Sequence, residues 1–338
     1  MHKNNFNLIR LLLSIMVVYS HSFGLLNLKE PTIFNRTFGN FAVHCFFALS
    51  GYLIATSFLN SKSTLDFLYK RTLRIAPAFF IALIVGHLLN KIFNGYIENP
   101  VPYIVNGTVW TLSWEIFCYV ICCLIGYIGL LKPTSVGTLW LIVWVLIVSN
   151  IGNQTMTFQV IVPMLFLFLS GMFVAVNEKP FQLKYTGPIY FGILLLILVQ
   201  PNAIFKVINL LPWLYSPQYS SIILNFIIYL FCLPLAIIYI GKYISVTLSI
   251  KDDISYGIYI YTWPIQQTTI FVIQQLGLQL SPLIVFASSL IISIILSFIS
   301  WRIIEKPVNS LKSINLTDIL QNIKIFKKRD YSKDNMPL

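Results

Sequence analysis

Ten long apolar segments follow one another along this sequence, and short polar stretches separate them. An α-helix needs about 20 predominantly apolar residues to cross the hydrocarbon core of a bilayer. The chain is 57% hydrophobic and only 10% charged, which is too little charge to cover the surface of a soluble domain of 338 residues. The sequence therefore predicts an all-α, polytopic membrane protein with about ten transmembrane helices. The predicted spans are residues 7–24, 39–58, 76–92, 109–130, 136–151, 158–176, 188–203, 220–240, 255–275 and 282–302.

The basic residues are distributed unequally between the two sets of loops that these spans create. Positively charged residues accumulate in cytoplasmic loops. The richer set is therefore predicted to be cytoplasmic, which places both termini inside, and the net charge of +12 reflects topology rather than nucleic-acid binding. We expect a multi-pass protein of the inner (plasma) membrane, in contact with membrane lipid. The richer set contains Lys3, Lys62, Lys70, Arg71, Arg74, Lys132, Lys179, Lys184, Lys242, Lys251 and the tail from Lys306 to Lys333, whereas the poorer set contains Lys29, Arg36, Lys91 and Lys206.

The first span carries an arginine and a histidine on one face, Arg10 and His21. Eleven residues make about three helical turns, so the two side chains lie about 16 Å apart along the axis and point the same way. The predicted topology puts Arg10 near the cytoplasmic end and His21 in the outer half of the membrane. Because ionisable residues within a span are costly and typically functional, this helix is predicted to form one wall of a polar passage.

Two arginines three residues apart, Arg71 and Arg74, lie in the predicted cytoplasmic loop before the third span. On a helical turn they project from one side, and paired guanidinium groups suit bidentate recognition of phosphate. The simpler interpretation is that they anchor the topology. Pro77 is expected to begin the third span, because proline is tolerated in the first turn of a helix.

The fourth span contains a glutamate, Glu115, about two turns from its predicted outer end. A carboxylate at that position needs a polar partner, and its depth predicts that it lies near His21 rather than Arg10. A carboxylate can orient an imidazole and raise its basicity; the alternative is a hydrogen bond between helices. Trp110 is among the aromatic residues around Glu115 and is a candidate for binding substrate.

Polar residues also occur in the second span. His44 serves either an interhelical hydrogen bond or a site, and the sequence does not distinguish the two. Ser50 and Gly51 are expected to allow another helix to approach closely.

The ninth span carries Tyr256, Tyr259 and Thr262 at intervals of three residues, which gives a polar stripe on one helix face. The two tyrosines are candidates for substrate binding.

Arg302 and Glu305 close the tenth span. They are expected to pair with each other, or Glu305 pairs with the Arg71 and Arg74 cluster. Arg10 either contacts a ligand or pairs with a carboxylate such as Glu305.

These segments occur in order along nearly the whole chain: Arg10 and His21 with ten residues between them, FFALSGYLI, the Arg71–Arg74 pair, WTLSWEIFCY, SYGIYIYTWP and WRIIEKP. In this order and spacing the sequence resembles the acyltransferase family 3 membrane proteins. The resemblance implies transfer of an acyl group, usually acetyl from cytoplasmic acetyl-CoA, to a hydroxyl of a glycan on the other side of the membrane. O-antigen, exopolysaccharide and capsule are the expected acceptors, and the acceptor can be lipid-linked.

The resemblance also implies roles for individual positions. It makes His21 the catalytic histidine, with Arg10 in the same motif as a further candidate for donor binding. Arg71 and Arg74 are implied to bind the phosphates of acetyl-CoA, which is a donor substrate, and no metal is implied. Many family members have histidine where Thr262 stands, so no role is assigned to Thr262.

Two chemistries and two rival functions follow. The histidine acts as general base on the sugar hydroxyl, with the carboxylate of the fourth span orienting it, or it is acylated and passes the group on. The rivals are a transporter or flippase of polysaccharide or lipid-linked sugar, and an enzyme of the same class with another acyl group such as succinyl. Residues 1–305 are expected to form the transmembrane acyltransferase domain, and residues 306–338 a basic cytoplasmic tail.

Overall fold

A computed structural model describes residues 4–153, 155–201, 221–244 and 252–313, which are almost entirely helical. A small antiparallel hairpin of β1 (Thr32–Ile33) and β2 (Arg36–Thr37) joins the first two helices. Thr157–Ile161 and Trp301–Glu305 are five-residue π-helical segments, and short 3-10 turns lie at Asn94–Tyr96 and Leu311–Ser313. The α-helices are α1 (Phe6–Gly24), α2 (Phe38–Leu59), α3 (Thr64–Ile92), α4 (Val109–Tyr127), α5 (Pro133–Ser149), α6 (Val162–Val176), α7 (Glu178–Phe181), α8 (Leu183–Val199), α9 (Ser221–Tyr243), α10 (Ser255–Gln275), α11 (Pro282–Ser300) and α12 (Lys306–Ser310).

Seven helices of the described chain are long and apolar enough to cross a membrane: Phe6–Gly24, Phe38–Leu59, Thr64–Ile92, Val109–Tyr127, Thr157–Val176, Ile222–Tyr243 and Pro282–Ser310. The helices α5 and α8 are apolar but shorter, and α10 coincides with the ninth predicted span. The helical class is thus confirmed, while the count of ten crossings and the orientation of the termini remain predictions. Residues 314–338 of the predicted tail and the end of the predicted seventh span lie outside the described residues.

The third helix begins twelve residues before the predicted span, at Thr64, and this changes the setting of the two α3 arginines. Ser63 caps the helix by accepting a hydrogen bond from the Asp66 amide at 3.1 Å. Asp66 also pairs with Lys70 one turn later, at 2.8 Å. The prediction of a loop here was wrong because capping and the ion pair extend the helix beyond its apolar run. Pro77 consequently lies inside α3 instead of beginning it.

The helices α2 and α6 cross in close contact. A Cβ atom added to Gly51 would lie 1.9 Å from the carbonyl oxygen of Phe168, and one added to Gly171 would lie 2.1 Å from that of Ala48. Neither position has room for a side chain, so the two backbones are in direct contact. This confirms the prediction that Gly51 permits close helix approach.

The helix α1 lies beside α2, α10 and α11, and polar contacts fix it against α10. Ser14 donates to the backbone oxygen of Ser255 at 2.9 Å, and Gln266 donates to that of Val18 at 2.9 Å. With α3 packed on α10 and α4 packed on α2, these helices enclose the polar interior in which the predicted site residues lie.

Candidate active site

Arg10, Arg71 and Arg74 line one cavity, which we call the arginine cavity. The i, i+3 spacing places the two α3 arginines on one side of their helix, and the packing of α3 and α1 against α10 brings all three guanidinium groups to the same space. The remaining lining residues come from α2, α3, α4 and α10: Val43, Phe46, Phe47, Ser50, Ile75, Thr111, Leu112, Glu115, Tyr119, Ser255, Tyr256 and Tyr259.

Asp253, just before α10, balances two of these arginines. Arg74 donates a hydrogen bond to its carboxylate, and Arg10 lies 3.4 Å from the same oxygen. Burial by itself would raise the pKa of Asp253, but Arg74, Arg10 and the hydrogen bonds from Ser255 hold it below the ordinary value of a carboxyl group. The carboxylate partner of Arg10 is therefore Asp253, and not Glu305 as the sequence suggested.

Arg71 differs from its two neighbours. It forms no salt bridge within the described residues, and its Nε atom is buried without a hydrogen-bond partner there. Its guanidinium carbon lies 5.7 Å from the centre of the Phe67 ring. Arg71 thus presents a cation to the arginine cavity without a carboxylate bound to it.

Glu115 lines the arginine cavity and not the cavity that contains His21. Ser50 donates to its Oε1 atom at 2.7 Å, and the hydroxyl of Tyr119 donates to the same atom. The prediction that Glu115 lies by His21 rather than Arg10 is therefore wrong. Depth along a helix does not determine which neighbours a side chain faces, and α4 turns Glu115 toward the arginines.

In the part of the chain that the structure describes, two residues of the π-helical segment after α11 lack the salt bridges expected from the sequence. Arg302 lies over the ring of Phe298, 4.6 Å from its centre, so it does not pair with Glu305. Glu305 is buried, with Oε1 3.5 Å from the hydroxyl of Ser300 and Oε2 unpartnered within the described chain. Within the described residues it forms no salt bridge with an arginine. Arg74 is nevertheless close enough to act electrostatically on the Glu305 carboxylate.

Lys312 is a further cation close to the arginine cavity. Burial, followed by the proximity of Arg74, Arg71 and Lys70, lowers the pKa of its ammonium group to about 8. Sequence reasoning assigned this residue to the basic tail. Its only sequence signal was that it follows the last span within a few residues, and only the return of the chain to α3 reveals its position.

His21 lines a second cavity, which we call the histidine cavity. Its ring stands edge-on to Trp263, with centroids 5.1 Å apart. Its Nδ1 atom is buried and has no hydrogen-bond partner in the described part of the protein. The other lining residues are Val17, Glu30, Thr37, Gly39, Asn40, Val43, Gly107, Thr108, Trp110, Thr111 and Tyr259.

Glu30 is the carboxylate of the histidine cavity, and sequence reasoning missed it. The hydroxyl of Ser20 donates to its Oε2 atom, and the amide of Gly39 donates to the Ser20 hydroxyl at 2.8 Å. Glu30 follows the first span in a chain that has only 11 acidic residues. That scarcity was the signal that could have identified it.

Three residues line both cavities: Val43, Thr111 and Tyr259. The hydroxyls of Thr111 and Tyr259 are hydrogen-bonded to each other. This pair of side chains, with Val43, forms a shared wall between the arginine cavity and the histidine cavity.

The three predicted substrate-binding residues are divided between the cavities. Trp110 lines the histidine cavity, Tyr256 the arginine cavity, and Tyr259 the shared wall. The hydroxyl of Tyr256 donates to the backbone oxygen of Ile75 at 3.2 Å. The structure therefore brings all three to the polar interior.

His44 and Thr262 line neither cavity. The Nδ1 atom of His44 lies 2.9 Å from the hydroxyl of Tyr229, which is the interhelical hydrogen bond that the sequence allowed. The hydroxyl of Thr262 donates to the backbone of Ile258 and lies 3.1 Å from the hydroxyl of Ser293. Both side chains connect packed helices.

Comparison with known proteins adds independent information. A family model described as an acyltransferase domain matches residues 3–302. The chain is 28% identical to an O-acetyl transferase of Shigella phage Sf6 over 350 residues, which cover 90% of this chain and 96% of that protein. It is 33% identical over 149 residues to nodulation protein 10 of Rhizobium leguminosarum bv. viciae, where the match spans 41% of this chain and 40% of that protein. No solved structure matches the chain.

Proposed function

Because the chain belongs to acyltransferase family 3 and is therefore an acyltransferase, we propose that it is a membrane O-acetyltransferase. It moves an acetyl group from cytoplasmic acetyl-CoA to a hydroxyl of an extracytoplasmic glycan, either O-antigen, exopolysaccharide or capsule. The phage relative aligns with nearly the whole chain, and its name supports acetyl as the transferred group and an oxygen atom as the acceptor.

The observation that carries this proposal is the adjacency of two unlike cavities. One contains three arginines, and the other contains His21. Guanidinium groups suit the phosphates of a coenzyme A thioester. Arg71 forms no salt bridge with a described carboxylate, so its charge is available to such a phosphate. The shared wall of Val43, Thr111 and Tyr259 lies where the thioester end of the donor would meet the acceptor.

The proposed orientation follows from the distribution of basic residues in the loops. The arginine cavity opens to the cytoplasm, where the donor is made, and the histidine cavity lies toward the outside. The acetyl group then crosses on the extended pantetheine arm, so the charged part of the cofactor remains at the cytoplasmic side.

His21 acts as a general base in this reaction. A ring nitrogen takes the proton from the acceptor hydroxyl, the hydroxyl oxygen attacks the thioester carbonyl, and the bond from carbon to sulfur breaks. The protonated imidazole then returns the proton to the departing thiolate, which balances the transfer. Direct transfer needs no acetylated histidine, although a ring nitrogen could also carry the group.

The test of the catalytic step is His21→Ala. We expect a loss of at least about 100-fold in acetyl transfer, the usual contribution of a general base, while the protein still inserts in the membrane. The matched control is His87→Ala, since His87 is exposed and lines neither cavity. O-acetyl release from surface glycan measures both. Retained acetylation in the His21 variant would refute this role.

The test of the donor site is Arg71→Glu. We expect the dissociation constant of acetyl-CoA to rise at least about tenfold, because a charge-assisted hydrogen bond to phosphate is replaced by repulsion. Lys132→Glu is the control, since Lys132 is exposed at the start of α5. Isothermal titration of purified protein gives the constants. Equal binding by the Arg71 variant and wild type would reduce Arg71 to a topology anchor.

A further inference from the structure

The histidine cavity has a distinctive charge. Among its described lining residues Glu30 is the only carboxylate, and no lysine or arginine is present. The other polar groups are uncharged hydroxyls and amides, including Thr37, Asn40 and Thr108. Its volume of about 240 Å³ is many times what a single water molecule requires, so a polar ligand of the size of one sugar ring can enter.

A hydrogen bond holds the Glu30 carboxylate in position, but no cation of the described residues pairs with it. Its Oε2 atom accepts the hydrogen bond from Ser20, while its Oε1 atom forms no hydrogen bond with the described residues. No basic group of the described chain lies within salt-bridge distance of it. Gly24 makes room for the carboxylate, because a Cβ atom added there would lie 3.1 Å from Oε1. Gly39 makes room for Ser20 instead, whose hydroxyl oxygen would lie 3.1 Å from an added Cβ atom.

We propose that the histidine cavity is the subsite for the acceptor sugar, and that Glu30 accepts hydrogen bonds from hydroxyls next to the one that is acetylated, which selects an uncharged sugar over an acidic one. This inference rests on the proposed function. A carboxylate accepts hydroxyl hydrogen bonds strongly because the bond is charge-assisted. It disfavours a uronic acid in the same place, where two negative charges would have no cation between them.

Other parts of the cavity suit a sugar. Trp110 lines the cavity, and an indole ring can stack on the C–H face of a pyranose. Thr108 is held by Asn106, which accepts hydrogen bonds from its amide at 3.0 Å and from its hydroxyl at 2.7 Å. With His21 and Glu30 lining the same space, one hydroxyl can meet the imidazole while its neighbour meets the carboxylate.

The experiment compares matched neutral and acidic acceptors. Purified full-length protein in lipid nanodiscs receives acetyl-CoA and p-nitrophenyl glycosides, namely glucoside against glucuronide and galactoside against galacturonide, with rhamnoside and N-acetylglucosaminide as further neutral sugars. We expect wild type to show at least about a tenfold higher kcat/KM for the neutral member of a pair, the scale of one charge-assisted hydrogen bond.

Glu30→Gln removes the charge and keeps the shape. We expect the KM of neutral acceptors to rise about tenfold, the ratio of neutral to acidic kcat/KM to fall toward one, and the KM of acetyl-CoA to stay unchanged. Glu30→Asp keeps the charge and should keep the ratio. The matched control is Glu98→Gln, because Glu98 lies outside both cavities and accepts a hydrogen bond from Gln275 at 2.6 Å.

Different outcomes overturn different claims. If wild type acetylates acidic sugars as well as neutral ones, or if the ratio is the same in wild type and in Glu30→Gln, the role of Glu30 is refuted and the acetyltransferase stands. If wild type binds acetyl-CoA and transfers acetyl to no glycoside of the panel, the proposed function is refuted together with the subsite. Unchanged acetyl-CoA binding in Glu30→Gln shows that a loss of transfer is not a loss of fold.

Discussion

The three arginines of the arginine cavity are balanced to different degrees, and this decides what each can do. Arg10 and Arg74 share Asp253, whereas Arg71 has no salt bridge within the described residues. A guanidinium that is already paired gains less from a new anion, because it must give up part of an existing contact. We therefore expect the charge of Arg71 to contribute most directly to the proposed binding of the donor.

Glu115 provides a prediction at the residue scale. It lies among the arginines, so Glu115→Gln should strengthen acetyl-CoA binding about threefold by removing an opposing charge of partly screened strength. The amide oxygen can still accept from Ser50 and Tyr119. Titration with acetyl-CoA measures the effect, and the KM of a glycoside acceptor should not change. If the KM of the acceptor rose while acetyl-CoA binding stayed the same, Glu115 would instead act by orienting His21.

Asp253 provides a second prediction, because its pKa lies below the ordinary value of a carboxyl group. A group of this kind contributes stability that is fully present above the ordinary pKa of ~3.9 and is lost as the pH falls through the lower, folded value. Asp253→Asn should lower the free energy of unfolding by about 3 kcal/mol at pH 7, since it leaves two partly buried guanidinium groups less well paired.

The measurement for Asp253 is thermal unfolding in detergent at pH 7, 5 and 3. The difference between wild type and Asp253→Asn should narrow only below about pH 4. Asp252→Asn is the control, since Asp252 accepts a hydrogen bond from Trp301 at 2.9 Å and an amide oxygen can replace it. A difference that stayed constant down to pH 3 would contradict the assignment of the ion pairs.

At the scale of elements, the crossing of α2 and α6 depends on glycine. Gly51→Ala should destabilise the protein by at least about 2 kcal/mol, because its Cβ atom would overlap the backbone of Phe168 and force the helices apart. Gly192→Ala is the matched control in α8, where nothing lies within 4 Å of an added Cβ atom. That change should be neutral or stabilising by up to about 1 kcal/mol through helix propensity.

Unfolding in detergent, followed by intrinsic tryptophan fluorescence, compares the two glycine variants directly. Similar unfolding midpoints for the two variants would contradict the expected destabilisation. They would mean that α2 and α6 can move apart without a loss of stability, which is not expected of close-packed backbones. The same crossing fixes Ser50, the neighbour of Gly51, at the carboxylate of Glu115. A shift of α2 is therefore expected to reach the arginine cavity as well.

At the scale of the whole molecule, the orientation in the membrane is open to a direct test. Lys29 and Lys62 are both exposed and lie in loops that the charge distribution assigns to opposite sides. A membrane-impermeant maleimide should label Lys29→Cys in spheroplasts, and Lys62→Cys only after permeabilisation. The native cysteines are buried, which keeps background labelling low. Labelling in the opposite pattern would invert the proposed path of the acetyl group.

Much of this architecture follows from local sequence. Apolar runs predicted where the helices lie, because a helix in lipid satisfies its own backbone hydrogen bonds. The i, i+3 spacing of Arg71 and Arg74 predicted a shared side, which helical geometry fixes. The start of α3 was missed, since a cap at Ser63 and an ion pair extend the helix outside the apolar run.

The sequence by itself determined the class, the family and the positions of Arg10, His21 and Glu115 along their helices. Only the tertiary structure decided the partners: Glu115 joins the arginines, Asp253 joins Arg10 and Arg74, and Glu30 joins His21 in one cavity. The reason is physical. Position along a helix axis is set by residue number and rise, whereas the neighbour that a side chain meets depends on how each helix is rotated and packed, and distant parts of the chain determine that together.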